Sequence, residues 1–198
     1  ISSGSTHTCA LLDDGSVSCW GDNGYGQLGT GTNTDRSAPT QTDSFGIGRT
    51  AVAISSGQKH SCAILDDGSV SCWGWNGHNQ IGDSTSSNRN QPTQTSSLGT
   101  GRTAVAISAG QGHTCAILDD GSVSCWGDNH YGQLGTGTNT DRFIPTQTST
   151  LGTGRTAVAI SSGYTHTCAL LDDASVSCWG ENGDGQLGTG VNTDRTVP

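Results

Sequence analysis

The feature that most constrains this chain is an internal period of 53 residues that runs through its whole length. Two cysteines and one tryptophan recur in every copy at this step. The copies span residues 1–53, 54–106, 107–159 and 160–198, and the last is 14 residues short of a full copy. A fixed period of this size is typical of repeat proteins, in which each unit buries its apolar face against the next. We therefore expect one repeat array, either a fragment of a longer array or a unit that neighbouring chains complete.

Each copy predicts four short β-strands and no helix. In the first two copies the strands are TAVAISS (50–56), HTCALL (7–12), SVSCWG (16–21) and a weaker one around PTQT (39–42). Apolar residues never keep a helical spacing for three turns, and the polar, glycine-rich stretch 22–36 predicts an ordered loop. Four short strands per unit of about 50 residues are typical of a propeller blade. The predicted fold class is all-β, with four four-stranded β-propeller-type blades in tandem, open or completed by neighbouring chains.

The hairpin between the second and third strands fixes the pairing of the cysteines. A three-residue loop at 13–15 places Cys9 opposite Cys19, and cross-strand partners lie close enough for a disulfide. The predicted disulfides are Cys9–Cys19, Cys62–Cys72, Cys115–Cys125 and Cys168–Cys178. The fourth copy has Ala174 where the other loops have glycine, so we expect its turn to be the least regular.

Composition and charge exclude several classes of function. The net charge of −9, with one lysine and seven arginines, lacks the basic footprint that nucleic-acid binding needs. There is no run of 18 apolar residues, so no membrane span is predicted. The cysteines come in matched pairs and there is no GxSxG element, so we expect no catalytic nucleophile, no enzymatic activity and no cofactor.

Two recurring groups of polar residues have both a chemical and a structural interpretation. A histidine stands two residues before the first cysteine of each copy, as His7 does before Cys9, and such residues can bind zinc. Because the disulfides account for the sulfurs, we favour a structural histidine bonded to backbone, and no metal site. The adjacent aspartates of each hairpin offer too few oxygens for calcium, so we favour solvated turns. Trp20 and Leu28, with their equivalents, are interpreted as packing between blades and as core anchors.

The segment HTCALLDDGSVSCWGDNGYGQLGTG (7–31) resembles the repeat of the regulator of chromosome condensation family, and the resemblance covers the chain four times over. It implies β-propeller blades, typically seven in a closed ring. The paired cysteines are similar to those of secreted bacterial members, which implies an extracellular or cell-surface location. Known functions of the family include nucleotide exchange on a small GTPase, ultraviolet sensing and inhibition of β-lactamases. All of these functions act through binding surfaces, and the fold alone does not choose among them.

The copies are nearly identical, so their differences indicate where a specific surface lies. The differences concentrate at a few loop positions, and the second copy departs most. The candidate contact residues are Tyr25, Trp75, His78, Tyr131, Phe143 and Tyr164.

The uniform copies and open ends favour a non-enzymatic extracellular structural or adhesive protein. Through unpaired strand edges it would assemble into a filament or larger ring, with copies of itself, another protein or glycans as partners. The alternative hypothesis is a protein-binding propeller module, such as a secreted inhibitor or regulator. An enzyme is a distant third.

Overall fold

The computed structural model describes all residues, 1–198, as an open array of four antiparallel sheets. The first sheet contains β1 (Ser2–Ser3), β2 (His7–Leu11), β3 (Val17–Gly21) and β4 (Arg36–Gln41). The second contains β5 (Ala51–Ser56), β6 (His60–Leu65), β7 (Val70–Gly74) and β8 (Arg89–Gln94). The third contains β9 (Ala104–Ala109), β10 (His113–Leu118), β11 (Val123–Gly127) and β12 (Arg142–Gln147). The fourth contains β13 (Ala157–Ser162), β14 (His166–Leu171) and β15 (Val176–Gly180), with a single bridge from Gly180 to Arg195 at the fourth-strand position.

Strands follow one another within each sheet, and each sheet packs on the next, so the predicted fold class is confirmed. The main difference is the outermost strand, which begins at Arg36 and is longer than the weak strand predicted at 39–42. Pro39 is tolerated there because an edge strand has no ladder partner on its outer side. The predicted repeat boundaries fall inside β5, β9 and β13, since they mark the sequence period and not the edges of the sheets. No helix in the structure is long and apolar enough to span a membrane.

The hydrophobic core lies between neighbouring sheets. At the boundary of the first two sheets, Leu28 packs with Ala51, Leu65 and Trp73, and two similar clusters fill the next boundaries. Trp73, Trp126 and Trp179 are fully buried, as predicted for residues that pack between blades, whereas Trp20 of the first sheet is half-buried. A chain with few apolar residues can therefore fold, because each unit needs only a thin apolar layer on either side.

The four predicted disulfides are present, and no cysteine is free. Cys9 faces Cys19 in the predicted register, with 4.1 Å between their Cα atoms. The prediction of a less regular fourth turn is wrong. Ala174 takes a left-handed conformation with φ of 69°, and its N–H bonds the Leu171 carbonyl as glycine does in the other turns.

The array has two distinct faces. The face named here the turn face carries the hairpin turns at 12–16, 66–69, 119–122 and 172–175. In three of the four turns the aspartates are not simply solvated, because Arg49 contacts Asp66 at 3.4 Å and Asp67 at 2.6 Å, and Arg102 and Arg155 repeat the arrangement. These half-exposed ion pairs contribute little to stability. Asp13 and Asp14 of the first turn are exposed and have no arginine partner, as expected for a solvated turn. The opposite face, named here the loop face, carries the inner turns 4–6, 57–59, 110–112 and 163–165 and the long loops 22–35, 75–88, 128–141 and 181–194.

Candidate binding face

A buried asparagine holds each long loop of the loop face in shape. Asn23 Nδ2 donates to the carbonyls of Thr32 and Thr34 at 2.9 and 3.0 Å, and Asn23 Oδ1 accepts the Leu28 N–H at 3.0 Å. The Asp35 carboxylate accepts the N–H of Asn23 at 2.8 Å. Asn76, Asn129 and Asn182 repeat this arrangement. Loops without regular structure are thus rigid enough to present side chains in fixed positions.

The second long loop has one further contact that its neighbours lack. Arg89 Nε donates to Asp83 Oδ2 at 2.6 Å. Thr30 and Thr136 occupy the position of Asp83 in the first and third loops, where the Nε atoms of Arg36 and Arg142 are buried without a hydrogen-bond partner. The second loop is therefore tied to its strand more firmly than the other two.

Beneath the loop face, a chain of hydrogen bonds links each sheet to the next. His7 Nε2 lies 2.8 Å from Ser61 Oγ, which donates to the Gln27 carbonyl at 3.0 Å, and Trp73 Nε1 donates to that carbonyl at 2.9 Å. Because the hydroxyl donates to the carbonyl, it accepts from the imidazole, which assigns the ring proton to Nε2. The expectation that this histidine bonds backbone is wrong, since its partner is a hydroxyl of the following sheet.

The same chain recurs at the next two boundaries through His60 with Thr114 and His113 with Thr167. Burial lowers the pKa of His7 to about 4, of His60 to about 3 and of His113 to about 4. The cause is desolvation, which disfavours the charged imidazolium. At neutral pH these histidines are uncharged, and their Nε2 atoms form hydrogen bonds with hydroxyl groups across the sheet boundaries.

Three of the predicted contact residues meet on the loop face across the first two sheets. The ring centroids of Tyr25 and Trp75 are 6.2 Å apart, and those of Trp75 and His78 are 5.0 Å apart with perpendicular planes. Lys59 Nζ lies 4.7 Å from the Tyr25 ring centre and 6.0 Å from that of Trp75. We call Tyr25, Lys59, Trp75 and His78 the aromatic cluster. All four side chains are half-buried, so they are held in place and still reach solvent.

The other predicted contact residues lie apart from this cluster. Tyr131 packs against His130, with 5.8 Å between their ring centroids. This pair lies at the boundary between the third and fourth sheets. Tyr164 is 59% exposed on the fourth inner turn, where its hydroxyl accepts from the amides of Gln58 and Gln111 beside a depression of about 260 Å³. Phe143 is 51% exposed on the outer strand β12. The structure thus groups half of the predicted set and disperses the rest.

One group of side chains on the loop face could hold a metal ion. The ligand atoms of His78, Asp128 and Asp141 all lie within 4.8 Å of one another. Sequence reasoning missed this group, since His78 belongs to a different copy and stands 50 residues or more from both aspartates. The available signal was that histidine at position 78 replaces the tyrosine of the first and third copies.

The chain is similar to known proteins over its whole length. The model of the RCC1-like domain family matches residues 1–198. The ultraviolet-B receptor UVR8 of Arabidopsis thaliana is 33% identical over 198 residues, which cover 100% of this chain and 44% of that protein. The probable E3 ubiquitin-protein ligase HERC4 of Homo sapiens is 33% identical over 199 residues, covering 100% of this chain and 19% of that protein. The chain therefore spans less than half the length of these relatives.

Solved structures show the same fold. Yeast RCC1 (Prp20) in its complex with Kap60 superposes with a TM-score of 0.83 at 21% identity, over 98% of this chain and 46% of that one. Prp20p from Saccharomyces cerevisiae, studied for its binding to Gsp1p and histones, gives a TM-score of 0.82 at 24% identity, over 98% and 48%. The repeat resemblance in the sequence is confirmed by a family model that spans the whole chain, and this chain belongs to the RCC1-like domain family.

Proposed function

We propose that this chain is a protein-binding module that engages its partner through the aromatic cluster on the loop face. The observation that carries the proposal is that residues at positions that vary between the copies, Tyr25, Lys59, Trp75 and His78, meet across two sheets. Aromatic side chains offer large contact area at a small cost in conformational entropy, and they are enriched at the centres of protein interfaces. The module has no catalytic role in this proposal.

The relatives support binding as the general activity. Solved structures with this fold include RCC1 bound to Kap60 and Prp20p with its Gsp1p and histone binding. These likenesses favour the protein-binding alternative over the structural or adhesive array. Neither the structure nor the relatives give an observation that favours a filament or a glycan partner.

The disulfides support an oxidising location. All eight cysteines are paired, and such bonds persist in secreted or cell-surface proteins and are rare in reducing compartments. We therefore propose that the module works outside the cytosol, as a secreted or surface-displayed regulator. The bacterial type of the paired cysteines stays a prediction of the sequence.

Site-specific photo-crosslinking tests the proposed face. A benzoylphenylalanine replaces Tyr25 on the loop face, and in a matched variant it replaces the exposed Thr100 on the turn face. We expect one protein to be captured in stoichiometric amount from position 25 and not from position 100. Equal capture from both faces, or capture of a second copy of this chain, would contradict the proposal.

The captured protein then allows a quantitative test. Because Trp75 lies at the centre of the cluster, Trp75→Ser is expected to weaken binding about tenfold or more. The control, Asp67→Asn on the turn face, should leave the affinity unchanged. An unchanged affinity of the Trp75 variant would exclude the cluster as the contact surface.

A further inference from the structure

The boundary between the second and third sheets differs from the other boundaries on the loop face. His78 of the second sheet's loop approaches Asp128 and Asp141 of the third, with all ligand atoms within 4.8 Å of one another. Each of the three side chains is half-buried. An imidazole nitrogen beside two carboxylates is a donor set that zinc and related transition metals accept.

In the first and fourth sheets, a carboxylate at the position of Asp128 is used for local structure. Asp22 Oδ2 accepts from Thr6 Oγ1 at 3.1 Å and from Gln27 Nε2 at 2.8 Å. Glu181 likewise accepts from the Thr165 hydroxyl. Both carboxylates therefore have partners within their own sheet.

Asp128 has neither of these partners. The position of the threonine is occupied by Gly112, and Gln133 Nε2 has no hydrogen-bond partner. Only the His130 N–H reaches Asp128, at 3.1 Å to Oδ1. One carboxylate oxygen is thus left without a protein donor, beside a histidine from the neighbouring sheet.

The amide of Gln133 is an independent sign that a polar ligand belongs here. Gln133 is only 1% exposed, and its Nε2 is a buried donor of the kind that costs stability when unpaired. Gln80 Nε2 is also unpaired, but there Trp75 replaces the carboxylate and explains the loss. At Gln133 the carboxylate is present, yet no hydrogen bond joins it to Nε2. An oxygen ligand held by an ion at Asp128 gives this amide the acceptor that it lacks.

Gly112 also supplies the space for the group. A Cβ atom at this position would lie 3.2 Å from His78 Cδ2 and 3.3 Å from Asp128 Cβ. A threonine like the one in the first sheet would crowd both side chains. Glycine at 112 and histidine at 78 are therefore matched to each other across two copies of the repeat.

We propose that His78, Asp128 and Asp141 bind one divalent transition-metal ion of the zinc class, with water completing its coordination. The ion bridges the loops of the second and third sheets. Calcium and magnesium prefer all-oxygen sites, so the imidazole selects against them. The site lies beside Trp75. Metal binding does not require a protein partner, so it can be tested independently of the proposed function.

Titration calorimetry of the tag-free, oxidised chain with zinc chloride measures the site directly. We expect one ion per chain. His78→Tyr installs the residue of the first and third copies and should fold normally, while its zinc affinity falls about tenfold or more. Asp128→Asn removes a ligand charge at constant shape and should have a similar effect. Asp141 is left intact, because it also accepts the Asn129 N–H at 2.8 Å.

The repeat offers a gain-of-site test with a matched control. Tyr131 faces the boundary that carries Glu181 and Asp194, where Thr165 stands in place of Gly112 and bonds Glu181, so Tyr131→His combined with Thr165→Gly should create a second zinc site. Tyr25 faces Trp75 and Asn88, so Tyr25→His should add none. The thermal midpoint of each variant, measured without zinc, reports whether the fold is intact.

Two results overturn the proposal. One is that the wild-type chain binds no zinc, and the other is that His78→Tyr binds it as tightly as the wild type. Loss of the site in His78→Tyr, together with a gain in the Tyr131→His, Thr165→Gly double variant and not in Tyr25→His, establishes it.

Discussion

Acid should destabilise this array well above the pH at which carboxylates protonate, because its sheet boundaries are built on neutral histidines. The pKa of His60 falls from 6.5 to about 3 on folding, and those of His7 and His113 fall to about 4. The unfolded chain therefore binds more protons between pH 6.5 and these lower values. Stability is fully present above pH 6.5 and is lost as the pH falls towards 4 and below.

The magnitude follows from the width of the interval. At pH 5 each of these histidines is protonated in the unfolded chain and neutral in the folded one, which costs about 2 kcal/mol per group. The three boundaries together cost about 6 kcal/mol between pH 7.5 and pH 5. The turn carboxylates, such as Asp67, have pKa values below 3.8 because the neighbouring serine donates to them. These carboxylates change the free energy of unfolding only at lower pH, so the loss of stability between pH 6.5 and 5 is due to the histidines.

Urea unfolding of the oxidised chain at pH 7.5 and 5.0 is the assay. His60→Gln keeps a donor for the Thr114 hydroxyl, which lies 2.9 Å from His60 Nε2, but does not titrate in this range. We expect the variant to lose about 2 kcal/mol less than the wild type between the two pH values, and His113→Gln should behave alike. Equal stability of the wild type at both pH values would refute this reasoning, as would an unchanged pH dependence in both variants.

Two further predictions concern the turns and the long loops. Gly121→Ala should lower the free energy of unfolding by about 2–3 kcal/mol, because the φ of Gly121 is 76° and an added Cβ would lie 2.4 Å from Thr156 Cβ. Ala174→Gly should raise the free energy of unfolding by about 1 kcal/mol, because glycine adopts the left-handed conformation without strain. Calorimetric midpoints measure both, and changes of the same sign would contradict the argument. Thr136→Asp should stabilise by about 1 kcal/mol, because it gives the buried Nε of Arg142 the carboxylate partner found in the second sheet. An unchanged urea midpoint would show that this nitrogen needs no such partner.

The sequence predicts those parts of the fold that depend on neighbours along the chain. The period, the alternation within strands and the length of the turn at 13–15 together fix the register that pairs Cys9 with Cys19. The buried tryptophans and the loop leucines were also predicted, because such large apolar residues recur in every copy with no other use. These features are local and are repeated four times, so they can be recognised without a structure.

Contacts between sheets are harder to predict, because the two partners belong to different copies of the repeat. His7 meets Ser61 and not backbone, although a serine or threonine follows the histidine in every copy. Arg49 meets Asp67 of the next copy across a linker whose path the sequence does not define. The identities of Tyr25 and Trp75 were predicted from differences between copies, but their proximity depends on how one sheet is rotated against the next.

The repeat makes it possible to separate departures that serve the fold from departures that serve a site. Ala174 is a single substitution that leaves its turn unchanged, so it needs no function. Gly112 and His78 are different, because residues from two copies change together and converge on one carboxylate. That carboxylate, Asp128, has lost the hydroxyl and amide partners that its equivalent in the first sheet keeps. Here substitutions at positions far apart in the sequence leave one carboxylate oxygen without a protein donor and open space beside it. One bound ligand accounts for all of these substitutions together, whereas otherwise each would need its own explanation.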